Sequence, residues 1–236
     1  MLEIRNLTKK YKGGKVAVDN LSLTVEAGDI FAFIGHNGAG KSTTIKSVVG
    51  FLEFDSGDIF IDGHSVKDEP MACKKDLAYI PDNPDIYDHL TGIQYLNFIG
   101  DVFGVDSATR TAKIDDYATR FDIKKNLGDM VGSYSHGMKQ KLVLISALMH
   151  SPKLLVMDEP FVGLDPKASF EVKNIMRELC KEGAAIFFST HVLEVAEKLC
   201  NKVAIIKDGK LVVCGDTETV VGSGSLESVV LTSAEV

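Results

Sequence analysis

An α/β fold is predicted by three features of the 236-residue chain. From residue 153 onward, strand-like apolar runs alternate with helical ones, the order expected of a parallel sheet with right-handed crossovers. Near the N-terminus a glycine-rich turn, GHNGAGKST at 35 to 43, lies between a buried-strand pattern, DIFAFI, and a helix pattern, STTIKSVVGF. Far along the chain an apolar strand, KLLVMDEP at 153 to 160, ends in two acids.

The elements follow in order. LEIRNL, LSLTV and DIFAFIG are short strand runs broken at Gly13, Gly14 and Gly28, which suggests an antiparallel β segment entering a buried central strand. A helix follows Lys41, then a strand over DIFIDG at 58 to 63 and a short one over LAYIP that Pro81 closes. Residues 83 to 150 contain no convincing strand and read as a mostly helical insert, with HLTGIQYLNFIGDVFGV and ATRTAKIDDYATRF as amphipathic candidates. After it come KLLVMDE, a helix over 167 to 182, AAIFFST, a helix over 191 to 200, KVAIIKDG and KLVVCG. The tail VGSGSLESVVLTSAEV begins Ser/Gly-rich.

Composition narrows the function. At 45% hydrophobic and 25% charged, the chain has the makeup of a folded globular protein. Its apolar runs fall far short of the ~20 residues a spanning helix needs, and MLEIRNLTKK lacks the apolar core of a secretion signal, so a cytoplasmic location is expected. Cys73, Cys180, Cys200 and Cys214 are widely scattered, as buried reduced thiols would be. A net charge of −7 without a dense Lys/Arg block argues against nucleic acid as the main partner.

The chemistry concentrates in two motifs. GHNGAGKST satisfies G-x-x-x-x-G-K-[ST] in its required strand–turn–helix context. Gly35, Gly38 and Gly40 let the backbone curl so that successive N–H groups surround a β-phosphate, Lys41 can bridge the β- and γ-phosphates, and the Ser42 hydroxyl can ligate Mg²⁺. His36, Asn37, Ala39 and Thr43 complete the expected nucleotide contacts of a P-loop nucleotidase, whose kind the two motifs leave open. In KLLVMDEP, Asp158 is placed to hold the Mg²⁺ shell and Glu159 to accept a proton from an attacking water. A helix cap would account for one of these acids but not readily for both, because burying charge is costly.

A third stretch refines the class. YSHGMKQK, at 134 to 141, precedes a run with apolar residues Met138, Leu142, Ile145 and Met149 on one helical stripe, so a helix begins there with its free N–H groups outward. Alone, it reads as an ordinary capped helix start. About a dozen residues before the acidic strand, it resembles the signature motif of ATP-binding cassette (ABC) ATPases. The family pattern is LSGGQ; here Tyr134 stands for Leu and His136 for the first Gly. That resemblance implies that Ser135, His136 and Gly137 cover the γ-phosphate of ATP held by the phosphate loop of another subunit.

By the same resemblance, which extends over nearly the whole chain, Tyr11 matches the aromatic that stacks on adenine, where core packing would otherwise be the default reading. Asp165 in GLDP matches the D-loop that faces the partner. His191 in STH matches the switch histidine, although a histidine at a strand end is more often structural. After LAYIP the family usually has a Gln reaching Mg²⁺; Asp82 stands there and is expected to keep the metal-side role with a changed pH or metal preference.

The implied architecture is an α/β P-loop NTPase cassette of ABC type with a RecA-like core and an N-terminal antiparallel β subdomain over 1–82 and 151–222. An α-helical subdomain is inserted over 83–150, and a tail occupies 223–236. The implied function is an ATP-hydrolysing subunit, using ATP and Mg²⁺, that pairs as a homodimer or paired cassette. It would dock on a separate transmembrane permease at the cytoplasmic face of the membrane. PDNPDIYDHLTG and YSHGMKQK look most like ATPase subunits of bacterial type-2 exporters. The alternative is a soluble ABC ATPase of assembly, repair or translation.

Overall fold

A computed structural model describes residues 1–234; the last two residues of the expected tail lie outside the described residues. The chain opens with β1 (Leu2–Lys10) and β2 (Val16–Val25), an antiparallel pair that buries Leu2, Ile4 and Leu7 from one strand and Val18, Leu21 and Val25 from the other. Strand β3 (Ile30–Ile34) is buried along its whole length and leads through the glycine-rich turn into α1 (Lys41–Val48). A hairpin of β4 (Ser56–Ile61) and β5 (His64–Ser65) follows, then α2 (Pro70–Asp76) with proline at its start, and β6 (Leu77–Ile80), which stops before Pro81.

Residues 83 to 150 hold α3 (Gly92–Val102), α4 (Ser107–Arg120) and α5 (His136–Leu148), with two short 3₁₀ turns between the last two. Helix α3 starts in a capping box, Thr91 with Gln94, and α4 at Asp106, whose carboxylate accepts from the N–H groups of Ala108 and Thr109. The remaining elements are β7 (Leu154–Asp158), α6 (Pro166–Lys181), β8 (Ala185–Thr190), α7 (Leu193–Leu199), β9 (Lys202–Lys207), β10 (Lys210–Asp216), α8 (Thr217–Val221) and α9 (Leu226–Ala234). The helix expected from residue 191 starts at Leu193. Thr190 Oγ1 accepts from the Val192 N–H and leaves His191 in the turn between β8 and α7.

Two sheets result. One is four-stranded, β2-β1-β4-β5, and antiparallel; the other is six-stranded, β10-β9-β3-β8-β7-β6. Five strands of the second sheet run parallel, but β10 returns antiparallel to β9, contrary to the expectation of an all-parallel sheet. Its cause is local: Lys207 pairs with Lys210 across the two-residue turn Asp208-Gly209, where both residues have positive φ, 48° and 80°. That geometry is the hairpin turn that Asp-Gly favours. Edge strand β10 exposes alternate residues, Cys214 among them, so the expectation of buried thiols holds for Cys73 and Cys200, is half met at Cys180 and fails at Cys214.

The period of two in β3 divides the core. Phe31 and Phe33 point toward α1 and the antiparallel sheet, meeting Phe187 with ring centroids 5.8 and 5.5 Å away. Ile30, Ala32 and Ile34 point the other way, into a cluster shared with α3, α4, α5 and α6. Both faces of β3 are thus covered, and the glycine-rich turn follows at its C-terminal end. Arg120 ties α4 to α6 through Glu171 and Glu178. Among the described residues no helix is long and apolar enough to cross a membrane.

Candidate functional site

The glycine-rich turn is shaped by close backbone approaches. A Cβ on Gly40, at φ 114°, would lie 2.4 Å from the Ala17 carbonyl oxygen, and one on Gly35 would lie 2.6 Å from that of Ile206. Only glycine fits either place. The loop then folds back on Lys41, whose Nζ donates to the carbonyls of Gly35 at 2.7 Å and His36 at 3.4 Å and lies 3.5 Å from Glu159 Oε1. Lys41 is 6% exposed, so its charge is directed into the loop and not into solvent. Ala39 is buried and its N–H donates to the His36 carbonyl, while His36, Asn37, Gly38 and Ser42 are exposed.

His36, Asn37, Gly38, Gly40, Lys41 and Ser42 line a cavity of about 310 Å³ together with Tyr11, Lys15, Thr43, Asp82 and Glu159, while Gly35 and Ala39 lie outside its lining. Tyr11 is 42% exposed, which removes the core-packing alternative, and its hydroxyl lies 3.3 Å from Thr43 Oγ1. Lys15 was not signalled by the sequence; only the folding of the first hairpin over the loop brings it there. A larger cavity, about 720 Å³, lies elsewhere beside Lys113, Tyr117 and Lys153 and contains none of the expected site residues.

The two acids arrive from the neighbouring strand. Strands β7 and β8 pair in register with Asp158 opposite Ser189. Asp158 is 1% exposed; its Oδ1 accepts the Ser189 hydroxyl hydrogen, and its Oδ2 is buried with no partner. A buried carboxylate oxygen left alone is costly unless a cation or water meets it, so the donor set of Asp158 with the exposed Ser42 hydroxyl fits a hard divalent ion such as Mg²⁺. Glu159 takes the left-handed conformation, φ 49°, immediately before Pro160. Its N–H donates to Ser189 Oγ at 3.0 Å, and its Oε2 lies 2.9 Å from His191 Nδ1. Lys41, Glu159 and His191, up to 150 residues apart in sequence, therefore meet at one point, with Asp158 tied in behind them through Ser189.

The YSHGMKQK stretch lies outside that meeting point. Ser135 is the N-cap of α5, with its Oγ accepting from the Met138 N–H at 3.3 Å. A hydroxyl that accepts through a lone pair keeps its hydrogen for a second partner, so capping and anion contact are compatible. Tyr134 is buried and donates from its hydroxyl to the Asn126 carbonyl at 2.6 Å. The exposed His136 ring lies against the turn before α6: a Cβ on Gly163 would be 2.6 Å from its Cδ2, and one on Gly137 would be 2.9 Å from the Gly163 carbonyl oxygen. Asp165 caps α6 at Ala168 and pairs with Lys141 at 2.7 Å, and these two contacts hold its carboxyl below the usual carboxylate range. None of Ser135, His136, Gly137 and Asp165 lines the cavity of their own chain.

Asp82 follows β6, exposed, with Oδ1 accepting from the Asn83 N–H at 2.9 Å. It borders two hollows: the cavity described above and a groove of about 640 Å³ between β6 and helices α3 and α5, lined also by Phe51, Tyr79, Phe103 and His150. In that groove the His150 ring stacks on Phe103 with centroids 3.8 Å apart. Burial pushes its pKa below the usual histidine range.

The family model described as ABC transporter matches residues 18–162 of the chain. The chain belongs to the ABC transporter family. Among its relatives is an uncharacterized ABC transporter ATP-binding protein, YhcH of Bacillus subtilis (strain 168), 38% identical over 90% of this chain and 68% of that protein. Another is the linearmycin resistance ATP-binding protein LnrL of the same organism, 33% identical over 91% of this chain and 69% of that protein. A solved structure of an ATP binding subunit of an ABC transporter superposes with a TM-score of 0.94 at 31% identity, covering 99% of both chains. Within the ABC transporter family this chain thus corresponds to the ATP-binding subunit, with the α/β cassette fold that the two sheets and the inserted helices form.

Proposed function

We propose that this ABC transporter ATP-binding subunit hydrolyses ATP and that two cassettes, in a homodimer or with a similar chain, close on ATP and open after hydrolysis to drive a separate membrane subunit. The supporting observation is the Glu159 carboxylate at the cavity wall, 3.5 Å from the Lys41 ammonium and 2.9 Å from the His191 ring. In this reading adenine stacks on Tyr11, the loop N–H groups over 35–43 surround the phosphates, and Lys41 moves one of its three hydrogens from the loop carbonyls to the γ-phosphate. Asp158, Ser42 and Asp82 would hold Mg²⁺, which when bound neutralises charge on the phosphate oxygens. Glu159 takes the proton of the attacking water and His191 orients that water.

Pairing is supported by the position of Ser135, His136, Gly137 and Asp165, on the surface and away from the cavity of their own chain. Residues 83–150 act in this scheme as the helical subdomain, 1–82 and 151–222 as the catalytic core, and the complex sits on the cytoplasmic face of the membrane. Export is the direction favoured, since the relative named for linearmycin resistance fits removal of a compound from the cell. A soluble assembly, repair or translation role is not favoured, because the relatives are transporter ATP-binding proteins.

Purification of the Glu159→Gln form from detergent-solubilised native membranes, with mass spectrometry of what accompanies it, tests the assignment. A stoichiometric polytopic membrane protein supports it; ribosomes or soluble assembly proteins in its place would refute it. Two substitutions probe the ligand contacts. Tyr11→Ala is expected to raise KM for ATP with kcat little changed, as loss of binding shared by ground and transition states does; steady-state kinetics decide, and an unchanged KM removes the stacking role. Asp82→Gln, which deletes a negative charge beside the triphosphate, is expected to change the Mg²⁺ dependence of hydrolysis. Identical profiles for the two forms would end the metal-side role of Asp82.

A further inference from the structure

Ser189 is fully buried at the end of β8 and touches both acids at once. A hydroxyl has one hydrogen and two lone pairs. Its hydrogen goes to Asp158 Oδ1, and a lone pair receives the Glu159 N–H at 3.0 Å. Two consequences follow from that division. With Oδ1 occupied, Oδ2 is the Asp158 oxygen left without a partner. And Glu159, a non-glycine residue at φ 49° followed by proline, keeps a conformation that L-residues resist because its N–H is anchored from the next strand.

The same strand end supplies His191 to the Glu159 carboxylate two residues later. Strand β8 and the turn after it therefore grip Asp158 by its side chain and Glu159 by backbone and side chain together. A carboxylate torsion is broad and roughly two-fold, so without the hydroxyl the two oxygens of Asp158 become interchangeable and the neighbouring peptide loses its anchor.

We propose that Ser189 is a positioning residue: it selects Oδ2 of Asp158 as the metal-facing atom and fixes the backbone turn that aims Glu159. The inference rests on the ATPase reading above. It assigns Ser189 no contact with nucleotide; the hydroxyl acts through the two carboxylates, as partners behind metal ligands do.

The test compares wild type, Ser189→Ala and Ser189→Thr, the last keeping the hydroxyl. Binding of a non-hydrolysable ATP analogue is measured by calorimetry in EDTA and over a series of free Mg²⁺ concentrations, alongside melting temperature. In the wild type, analogue binding that does not depend on Mg²⁺ would count against the ATPase reading itself, separately from anything the variants do. Given that dependence, Ser189→Ala is expected to bind the analogue in EDTA as the wild type does, while its half-saturating Mg²⁺ concentration rises about 10- to 100-fold. Ser189→Thr should stay close to the wild type. An alanine form with wild-type Mg²⁺ dependence overturns the proposal. So does an alanine form that loses binding equally with and without Mg²⁺, or a threonine form that melts normally yet matches alanine, since each marks Ser189 as a packing residue only.

Discussion

Glu159→Gln is expected to lower ATP hydrolysis by about 10²- to 10⁴-fold, the span of a general base, while ATP binding survives. The amide has nearly the shape of the carboxylate but no basic lone pair to accept the water's proton. Its backbone anchor is unaffected, because the Glu159 N–H and not its side chain bonds to Ser189. Removing the carboxylate also releases Lys41 from a charge 3.5 Å away, which leaves the ammonium freer to meet phosphate. The variant should therefore accumulate as an ATP-loaded pair, visible as an ATP-dependent shift in size-exclusion chromatography beside a near-absent release of phosphate. Full activity would show that another group takes the proton.

Lys41→Met should fail one step earlier. The ammonium is nearly buried, and its contacts with the Gly35 and His36 carbonyls place it at the floor of the loop. Hydrogen bonds to charged groups are worth about 1.5–3 kcal/mol, so ATP affinity should fall roughly tenfold to a hundredfold. Methionine retains most of the apolar stem and length, so the fold should persist with a comparable melting temperature. Calorimetric titration with ATP separates the outcomes: an unchanged affinity would make Lys41 a staple of the empty loop and no more. Together the two variants separate binding from chemistry at groups only a few ångströms apart.

Much of this site is legible in the sequence because its motifs obey local rules. The glycines of the loop, the apolar strand ending in Asp158 and Glu159, and the serine that starts α5 each state their geometry within a few residues. What the sequence hides depends on pairing across the chain. Ser189 stands inside STH, where attention falls on the histidine; its role comes only from lying opposite Asp158 in the β7–β8 register. The contact of His136 with Gly163 is hidden in the same way, since neither residue signals a neighbour so distant in sequence. The reversal of β10 is different. Asp208-Gly209 between two apolar runs is a hairpin signal in its own right, and strand–helix alternation upstream masks it.

Asp82 borders the proposed nucleotide cavity on one side and the 640 Å³ groove on the other. For inhibition this shared wall separates two strategies. A compound seated among Phe51, Tyr79 and Phe103 would lie against the Asp82 wall outside the space beside Tyr11, and so would not occupy the proposed nucleotide cavity. Its selectivity would come from the groove's own side chains, where the stacked His150 and Phe103 give it a flat aromatic surface to recognise.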